Sequence, residues 1–153
     1  MPNFAETRHS PYAPAQLYAL VLDVEKYPEF LPWCRAARII QRMPDYFIGE
    51  LMISFSHLTE RYSSKVTGTP PDAKGEASIQ VSLVNGPFSH LNNSWHFAPS
   101  ADGGTDIHFQ LDFAFKSKLL DTLLGSLFGK AVEKMTAAFL TRADALYGNK
   151  KIA

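Results

Sequence analysis

Three side chains that commonly bind metals or transfer protons, Asp106, His108 and Asp112, alternate along one predicted strand near the end of the chain. Successive side chains of a strand point to opposite faces, so these three share a face. The pattern is superficially that of a metal site or an acid–base cluster. The opposite face of the same strand is aromatic, and such a face packs into a core. We therefore expect the three polar side chains to face solvent.

The remaining histidines and the single cysteine form no catalytic or metal-binding motif. His57, His90 and His96 lack a ligand spacing such as HExxH, and Cys34 alone cannot build a zinc cluster. The sequence also contains no phosphate-binding glycine loop and no nucleophile elbow. We therefore expect a protein that is not an enzyme and that requires no cofactor or metal ion.

Composition restricts the class of protein. The 153 residues, 46% hydrophobic and 20% charged, are typical of one globular domain, which we predict to span residues 1–153. Fifteen basic and fifteen acidic side chains cancel, which argues against DNA binding. One cysteine and no apolar run of about 18 residues fit a cytoplasmic protein that is not secreted. Such a protein contacts a membrane at most peripherally.

The densest basic cluster is Arg35, Arg38 and Arg42, with Lys150 and Lys151 at the end of the chain. These side chains could contact phosphates on a ribosome or anionic lipid headgroups. Three arginines scattered along a strand more often form a solvated face. The sequence leaves both interpretations open.

Apolar and polar side chains alternate through the middle of the chain, so the candidate residues in that region lie on strands. The pattern predicts about seven strands. The clearest strand has one apolar face, which consists of Ile107, Phe109, Leu111, Phe113 and Phe115. Tight turn signals such as Asp102-Gly103-Gly104 predict an antiparallel sheet with one packed face. That packed face needs a covering layer.

The amphipathic segment Ser117–Tyr147 can supply the covering layer. Ser117 suits an N-cap, and Gly148 follows as a stop signal. We predict one helix of about thirty residues, roughly 45 Å long. Its apolar face consists of Leu120, Leu123, Leu124, Leu127, Phe128, Ala131, Val132, Met135, Ala138 and Phe139.

Two short helical segments are predicted after the first strand. Ala15–Leu22 has a helical pattern, whereas Pro28 and Pro32 favour two short turns over one continuous helix within Tyr27–Cys34. The element order is strand, two short helices, strands and a long helix. This order predicts an α+β fold in which a curved antiparallel sheet wraps around the terminal helix.

Three stretches carry a resemblance to known proteins: Asp23–Cys34 with its YPEFLPWC block, Gly86–Phe97, and the terminal strand–helix unit. They resemble the START-like (helix-grip, polyketide cyclase/dehydrase-type) superfamily. More narrowly, they resemble its coenzyme Q-binding branch and the related ribosome association toxins. The resemblance implies a cavity between sheet and terminal helix that binds a hydrophobic ligand. In the respiratory members that ligand is a ubiquinone-like polyisoprenoid quinone, and a chaperone role is implied.

The apolar residues that meet in the predicted interior could line such a cavity or could fill a solid core. The candidates for the cavity and its portal are Tyr27, Phe30, Leu31, Trp33, Phe88, Trp95, Phe109, Leu111, Phe113, Phe115, Leu124, Phe128, Val132 and Met135. Three charged residues could enter the cavity or form structural ion pairs, namely Glu6, Arg8 and Glu60.

Two features of the predicted portal have two interpretations each. Gly125 and Gly129 could form a flexible gate in the terminal helix or could permit close approach of a neighbouring segment. Phe30, Leu31 and Trp33 could insert into a membrane during ligand transfer or could pack over the first helices.

The resemblance leads to three hypotheses of function. The first is a quinone chaperone that supports respiratory electron transport at the inner face of the respiratory membrane. The second is a regulator that binds the large ribosomal subunit through Arg35, Arg38 and Arg42. The third is an enzyme similar to the polyketide cyclases, which would need acid–base groups inside the cavity.

Overall fold

Seven strands and three α-helices account for most of the computed structural model, which describes residues 3–55 and 58–148. The strands are β1 (Asn3–Ser10), β2 (Cys34–Arg42), β3 (Phe47–Phe55), β4 (Leu58–Thr69), β5 (Ala77–Asn85), β6 (Phe88–Pro99) and β7 (Thr105–Phe115). The helices are α1 (Pro14–Leu22), α2 (Lys118–Glu133) and α3 (Met135–Tyr147), and a 3-10 helix spans Val24–Glu29. His57, Lys150 and Lys151 lie outside the described residues, as do the surroundings of Gly125.

One antiparallel sheet contains all seven strands in the order β1-β7-β6-β5-β4-β3-β2. The pairing register shifts within the β2–β3, β4–β5 and β6–β7 pairs. Extra residues of this kind bend a strand and increase its twist, so the sheet curves toward the helices. The predicted α+β fold, with a curved antiparallel sheet around C-terminal helices, is confirmed.

The apolar face of β7 forms the centre of the core, as its alternation predicts. All five predicted inward residues of this strand are at most 6% exposed. The Phe113 ring packs against that of Phe128 on α2, with 4.6 Å between centroids. Burial of each large apolar side chain contributes roughly 1.5–3 kcal/mol, so this contact fixes α2 against the sheet.

The terminal segment forms two helices rather than the single long helix that the periodicity predicts. The Ser117 Oγ accepts hydrogen bonds from the N–H groups of Leu119 and Leu120 at 3.1 and 3.3 Å, so the predicted N-cap is confirmed. The chain leaves helical geometry at Lys134, where φ is −98° and ψ is −2°. No proline or glycine causes this break. Just beyond it, the buried Thr136 hydroxyl donates to Glu6 Oε2 at 2.7 Å.

The apolar face of the terminal segment is narrower than predicted. Leu124, Phe128 and Val132 are at most 2% exposed, whereas Leu123 and Leu127 are 47% and 39% exposed. Both leucines therefore lie on the outer side of α2, which corrects the prediction of one broad inward face. The sheet covers only one stripe of the helix.

The proline-rich connection is one 3-10 helix followed by a tight turn. The carbonyl of Tyr27 accepts hydrogen bonds from the N–H groups of both Phe30 and Leu31, which ends the 3-10 helix. The Cys34 N–H then donates to the Leu31 carbonyl at 3.0 Å, which closes a turn with Pro32 at its second position. The second predicted helical turn is therefore a reverse turn.

Candidate ligand cavity

A cavity lies between the inner face of the sheet and the helices that cover it. Its empty volume is about 730 Å³ with the open mouth included, and about 70 Å³ of space admits the centre of a water molecule. The lining residues are Val21, Val24, Tyr27, Trp33, Gly49, Leu51, Tyr62, Ser64, Val66, Ile79, Val81, Leu91, Asn93, Trp95, Leu111, Phe128, Met135 and Phe139. The interior is therefore neither a solid core nor a wide pocket.

The 3-10 helix forms one wall and is fastened to α3. Tyr27 donates its hydroxyl hydrogen to the Val21 carbonyl, and its ring lies 5.3 Å from that of Phe139. The rings of Phe30 and Phe139 are 5.0 Å apart. These edge-to-face contacts are favourable beyond simple burial. They hold the wall closed in this structure.

An ion pair reinforces the same contact from outside. Arg142 on α3 donates from Nη2 to Glu29 Oε1 at 2.7 Å, and its guanidinium carbon lies 5.3 Å from the centre of the Phe30 ring. The hydrogen bond from Arg142 lowers the pKa of the Glu29 carboxyl. The pair is partly exposed, so it contributes little to the free energy of unfolding and mainly orients the 3-10 helix against α3.

Six of the predicted site residues line the cavity together: Tyr27, Trp33, Trp95, Leu111, Phe128 and Met135. The other eight pack around it without lining it: Phe30, Leu31, Phe88, Phe109, Phe113, Phe115, Leu124 and Val132. Leu31 and Trp33 are 1% and 9% exposed, so they pack over the first helices and are not available for membrane insertion in this state. The ring of Phe30 also packs against the interior, because it contacts Phe139.

Most of the lining that sequence reasoning missed comes from the inner faces of β3, β4 and β5. Gly49 is one example, since a side chain there would approach Val24 and Phe47 at 3.4–3.6 Å. The signal available was the alternation of these strands, where Leu51 and Val66 occupy inward positions. No feature of that alternation ranks them above the aromatic residues of β7.

Few polar groups reach the cavity. Trp95 Nε1 donates to Asn93 Oδ1 at 3.1 Å, and Asn93 Nδ2 donates to the Gln110 carbonyl at 2.7 Å. Ser64 is 5% exposed, and its hydroxyl has no hydrogen-bond partner in the part of the chain that the structure describes. Burial raises the pKa of the Tyr62 phenol, which keeps it protonated.

The lining restricts the chemistry that the cavity can perform. Within residues 3–55 and 58–148, no Asp, Glu, His, Lys or Arg is among the lining residues. Glu6 and Arg8 pair with each other at 2.6 Å, and Glu60 is also absent from the lining. A neutral phenol and a neutral hydroxyl can donate hydrogen bonds but cannot accept a proton readily. The arrangement suits binding of an apolar molecule with one or two polar atoms.

The polar face of β7 lies outside the cavity, as predicted. His108 is exposed and pairs with Thr7 Oγ1 at 3.2 Å, whereas Asp106 pairs with His9 and Asp112 with His90. These are separate pairs on the outer surface. Among the described residues, no group of three His, Cys, Asp or Glu side chains is arranged to hold a metal ion.

The predicted basic cluster lies on the edge strand β2 and is exposed. Arg38 Nε donates to Glu50 Oε1 at 2.9 Å, and Arg61 Nη1 on β4 lies 3.7 Å from the same oxygen. Glu50 therefore balances only part of the local positive charge. Arg61 belongs to this surface, although it is distant from the cluster in sequence.

Gly129 does not line the cavity. An added Cβ atom at this position would meet the ring of Phe4 on β1 at 3.5 Å, an ordinary contact distance. A side chain would therefore fit at this position, and no close approach of a neighbouring element requires glycine here. Among the described residues, no helix combines the length and the apolar character needed to cross a membrane.

Comparison with curated proteins gives two informative relatives. The "Ribosome association toxin RatA" of Rickettsia prowazekii is 43% identical over 143 residues, which cover 94% of this chain and 97% of that protein. The "Coenzyme Q-binding protein COQ10 homolog B, mitochondrial" of Xenopus laevis is 28% identical over 153 residues. That alignment covers 98% of this chain and 61% of the relative.

Solved structures share the fold along nearly the whole chain. The solution structure of the 18 kDa protein CC1736 from Caulobacter crescentus has a TM-score of 0.72 at 38% identity, covering 97% of this chain and 99% of that one. A START superfamily protein from Mycobacterium smegmatis has a TM-score of 0.75 at 19% identity, with 94% and 98% covered. At 19% identity, the second similarity shows the fold alone.

A family model agrees with these similarities. The model described as "Polyketide cyclase / dehydrase and lipid transport" matches residues 10–140, which include every strand except β1, all of α2 and the first half of α3. The chain therefore belongs to the polyketide cyclase/dehydrase and lipid transport family and has the START-like helix-grip fold.

Proposed function

We propose that this protein binds a polyisoprenoid quinone or a similar amphiphile in the cavity and delivers it to the respiratory membrane without altering it. The observation that carries the proposal is the apolar cavity between sheet and terminal helices. Among the described residues, the lining holds no carboxylate, amine or imidazole, which favours carriage over acid–base catalysis. The name of the Xenopus relative, a coenzyme Q-binding protein, supports the ligand class.

Ligand entry requires the cavity to widen. Ligand pockets usually measure about 300–1,000 Å³, and the space here that admits a water centre is about 70 Å³. The wall fastened by Arg142 and Glu29 is the segment that must move, together with the helix break at Lys134. Burial of one five-carbon isoprene unit supplies roughly 4 kcal/mol, which can offset the loss of the wall contacts.

Organic extraction of gently purified protein, followed by mass spectrometry, tests the proposal. We expect near-stoichiometric quinone in the wild type. Met135→Trp, which fills the cavity, should reduce the extracted quinone to background. Thr141→Trp places the same side chain on an exposed position of α3 and should retain the ligand. Absence of any quinone in the wild type, combined with no uptake on reconstitution, would refute the proposal.

A second candidate function is association with the large ribosomal subunit. It is favoured by the basic surface of Arg35, Arg38, Arg42 and Arg61 and by the name of the Rickettsia relative. Exposed arginines of this kind bind phosphates through charge and release counterions, so the interaction weakens with salt.

Sedimentation with ribosomal subunits at increasing salt concentration tests the second candidate. The double variant Arg35→Ala/Arg42→Ala should weaken cosedimentation. The slope of the logarithm of the binding constant against the logarithm of the salt concentration should become less steep by about 0.7–0.9 per lost phosphate contact. Lys74→Ala, in an exposed loop distant in sequence from β2, should leave both unchanged. The candidate fails if no cosedimentation occurs at low salt.

A further inference from the structure

The hydroxyl of Ser64 is a buried polar group that nothing in the described structure satisfies. Ser64 is 5% exposed, lines the cavity, and its Oγ has no hydrogen-bond partner among the described residues. A buried hydroxyl without a partner is costly compared with an apolar side chain of similar shape. Alanine at this position would avoid that cost, so the hydroxyl needs an explanation outside the ligand-free fold.

The backbone around Ser64 directs this hydroxyl toward the cavity. The register of the β4–β5 pair shifts between Ser63 and Ser64, where Ser63 pairs with Asn85 and Ser64 with Leu83. The extra residue of this shift is Val84 on β5, so β4 keeps its regular alternation, which places Ser64 on the inner face of the sheet with Tyr62 and Val66. The residue opposite Ser64 on β3 is Gly49, which also lines the cavity and has no side chain to cover the hydroxyl. The site is therefore open from the ligand side.

We propose that the Ser64 hydroxyl is a hydrogen-bond donor for an acceptor oxygen of the bound ligand, such as a carbonyl or ring ether oxygen. The ligand is then an apolar molecule whose polar end is buried against β4 and whose apolar remainder lies along Met135 and Phe139 toward the helices. Tyr62, two residues away on the same face, keeps its phenol protonated and can donate to the same polar end. This inference rests on the proposed function, because it assigns the orientation of that ligand.

Two probes of similar size separate the hydrogen bond from simple apolar burial. Farnesylacetone is an isoprenoid chain that ends in a carbonyl, and pristane is a branched hydrocarbon without oxygen. Uptake of each from neutral lipid vesicles is measured for the wild type, Ser64→Ala and Ser63→Ala. The last variant is the matched control, because Ser63 lies on the opposite face of the same strand and is not among the lining residues.

The wild type and Ser63→Ala should prefer the ketone, and Ser64→Ala should lose about tenfold in ketone affinity with unchanged hydrocarbon uptake. Ligand-free Ser64→Ala should also melt at a higher temperature than the wild type. A ketone preference that survives in Ser64→Ala, or a lower melting temperature, overturns this inference and leaves the proposed function intact. No uptake of either probe by the wild type overturns both.

Discussion

Phe139 of α3 is the residue whose removal enlarges the cavity most directly. It is 4% exposed and lines the cavity, and its ring centroid lies 5.0 Å from those of Phe30 and Trp95. We predict that Phe139→Ala lowers the free energy of unfolding by about 3–5 kcal/mol, the range for truncation of a buried aromatic side chain. Domains of this kind are stable by about 5–15 kcal/mol, so the variant should remain folded.

The same substitution should create a site for a small aromatic molecule. The present space of about 70 Å³ would gain most of the volume of a phenyl ring. Apolar cavities of about 150 Å³ bind benzene and stay free of water. Benzene at a hundred times its dissociation constant would then restore about 2.7 kcal/mol of stability.

Urea unfolding monitored by circular dichroism measures both effects. With an m-value of about 2 kcal/mol/M, a loss of 4 kcal/mol moves the midpoint down by about 2 M. Phe4→Ala is the control, because Phe4 is half-buried on β1 and its truncation leaves no enclosed space. Equal stabilisation of both variants by benzene, or an unchanged midpoint in Phe139→Ala, would refute the reasoning.

Three further predictions follow from single side chains. Ser117→Ala should cost about 1 kcal/mol in urea unfolding, since it removes the N-cap of α2, whereas exposed Ser126→Ala should be nearly neutral. Burial raises the pKa of the Cys34 thiol to about 11, so iodoacetamide at pH 8 should label it in urea but not in the native protein. Hydrogen bonds from the Ser100 hydroxyl and a backbone N–H lower the pKa of Asp102 to about 2. The stabilising effect of the Asp102 carboxylate is present above the ordinary pKa of 3.8 and is lost as the pH falls toward 2. Asp102→Asn should therefore reduce the pH dependence of the free energy of unfolding between pH 3.8 and pH 2.

The fold could be predicted from the sequence where one physical requirement dominates. The alternation in β7 is unbroken, and every apolar residue at its inward positions is buried. The N-cap at Ser117 depends on local hydrogen bonding, which its side chain alone decides. Both features are therefore readable without tertiary information.

Two features of the terminal segment depend on tertiary contacts and could not be predicted from the sequence. No proline or glycine marks the helix break at Lys134 in the sequence. The hydrogen bond just beyond it, between Thr136 and Glu6, joins residues 130 positions apart. Leu123 and Leu127 fit the apolar helical period, but they lie on the outer side of α2, away from the sheet.

Only part of the candidate site could be predicted from the sequence, for a related reason. Aromatic periodicity identifies residues that are buried, but an empty volume depends on how the inward faces of β3, β4 and β5 curve away from the helices. Ser64 has a small polar side chain and Gly49 has none, so neither adds to the apolar periodicity. Their importance appears only once the cavity is located.

The central claim is that an apolar ligand occupies this cavity, and methyl resonances of methionine test it most directly. Of the four methionines, Met135 lines the cavity, Met43 is exposed, and Met52 lies on the outer face of β3. Titration of methyl-¹³C-methionine-labelled protein with a short-chain quinone should shift the Met135 resonance and leave those of Met43 and Met52 in place. An unmoved Met135 resonance at saturating quinone, or shifts confined to Met43 and Met52, would contradict the account.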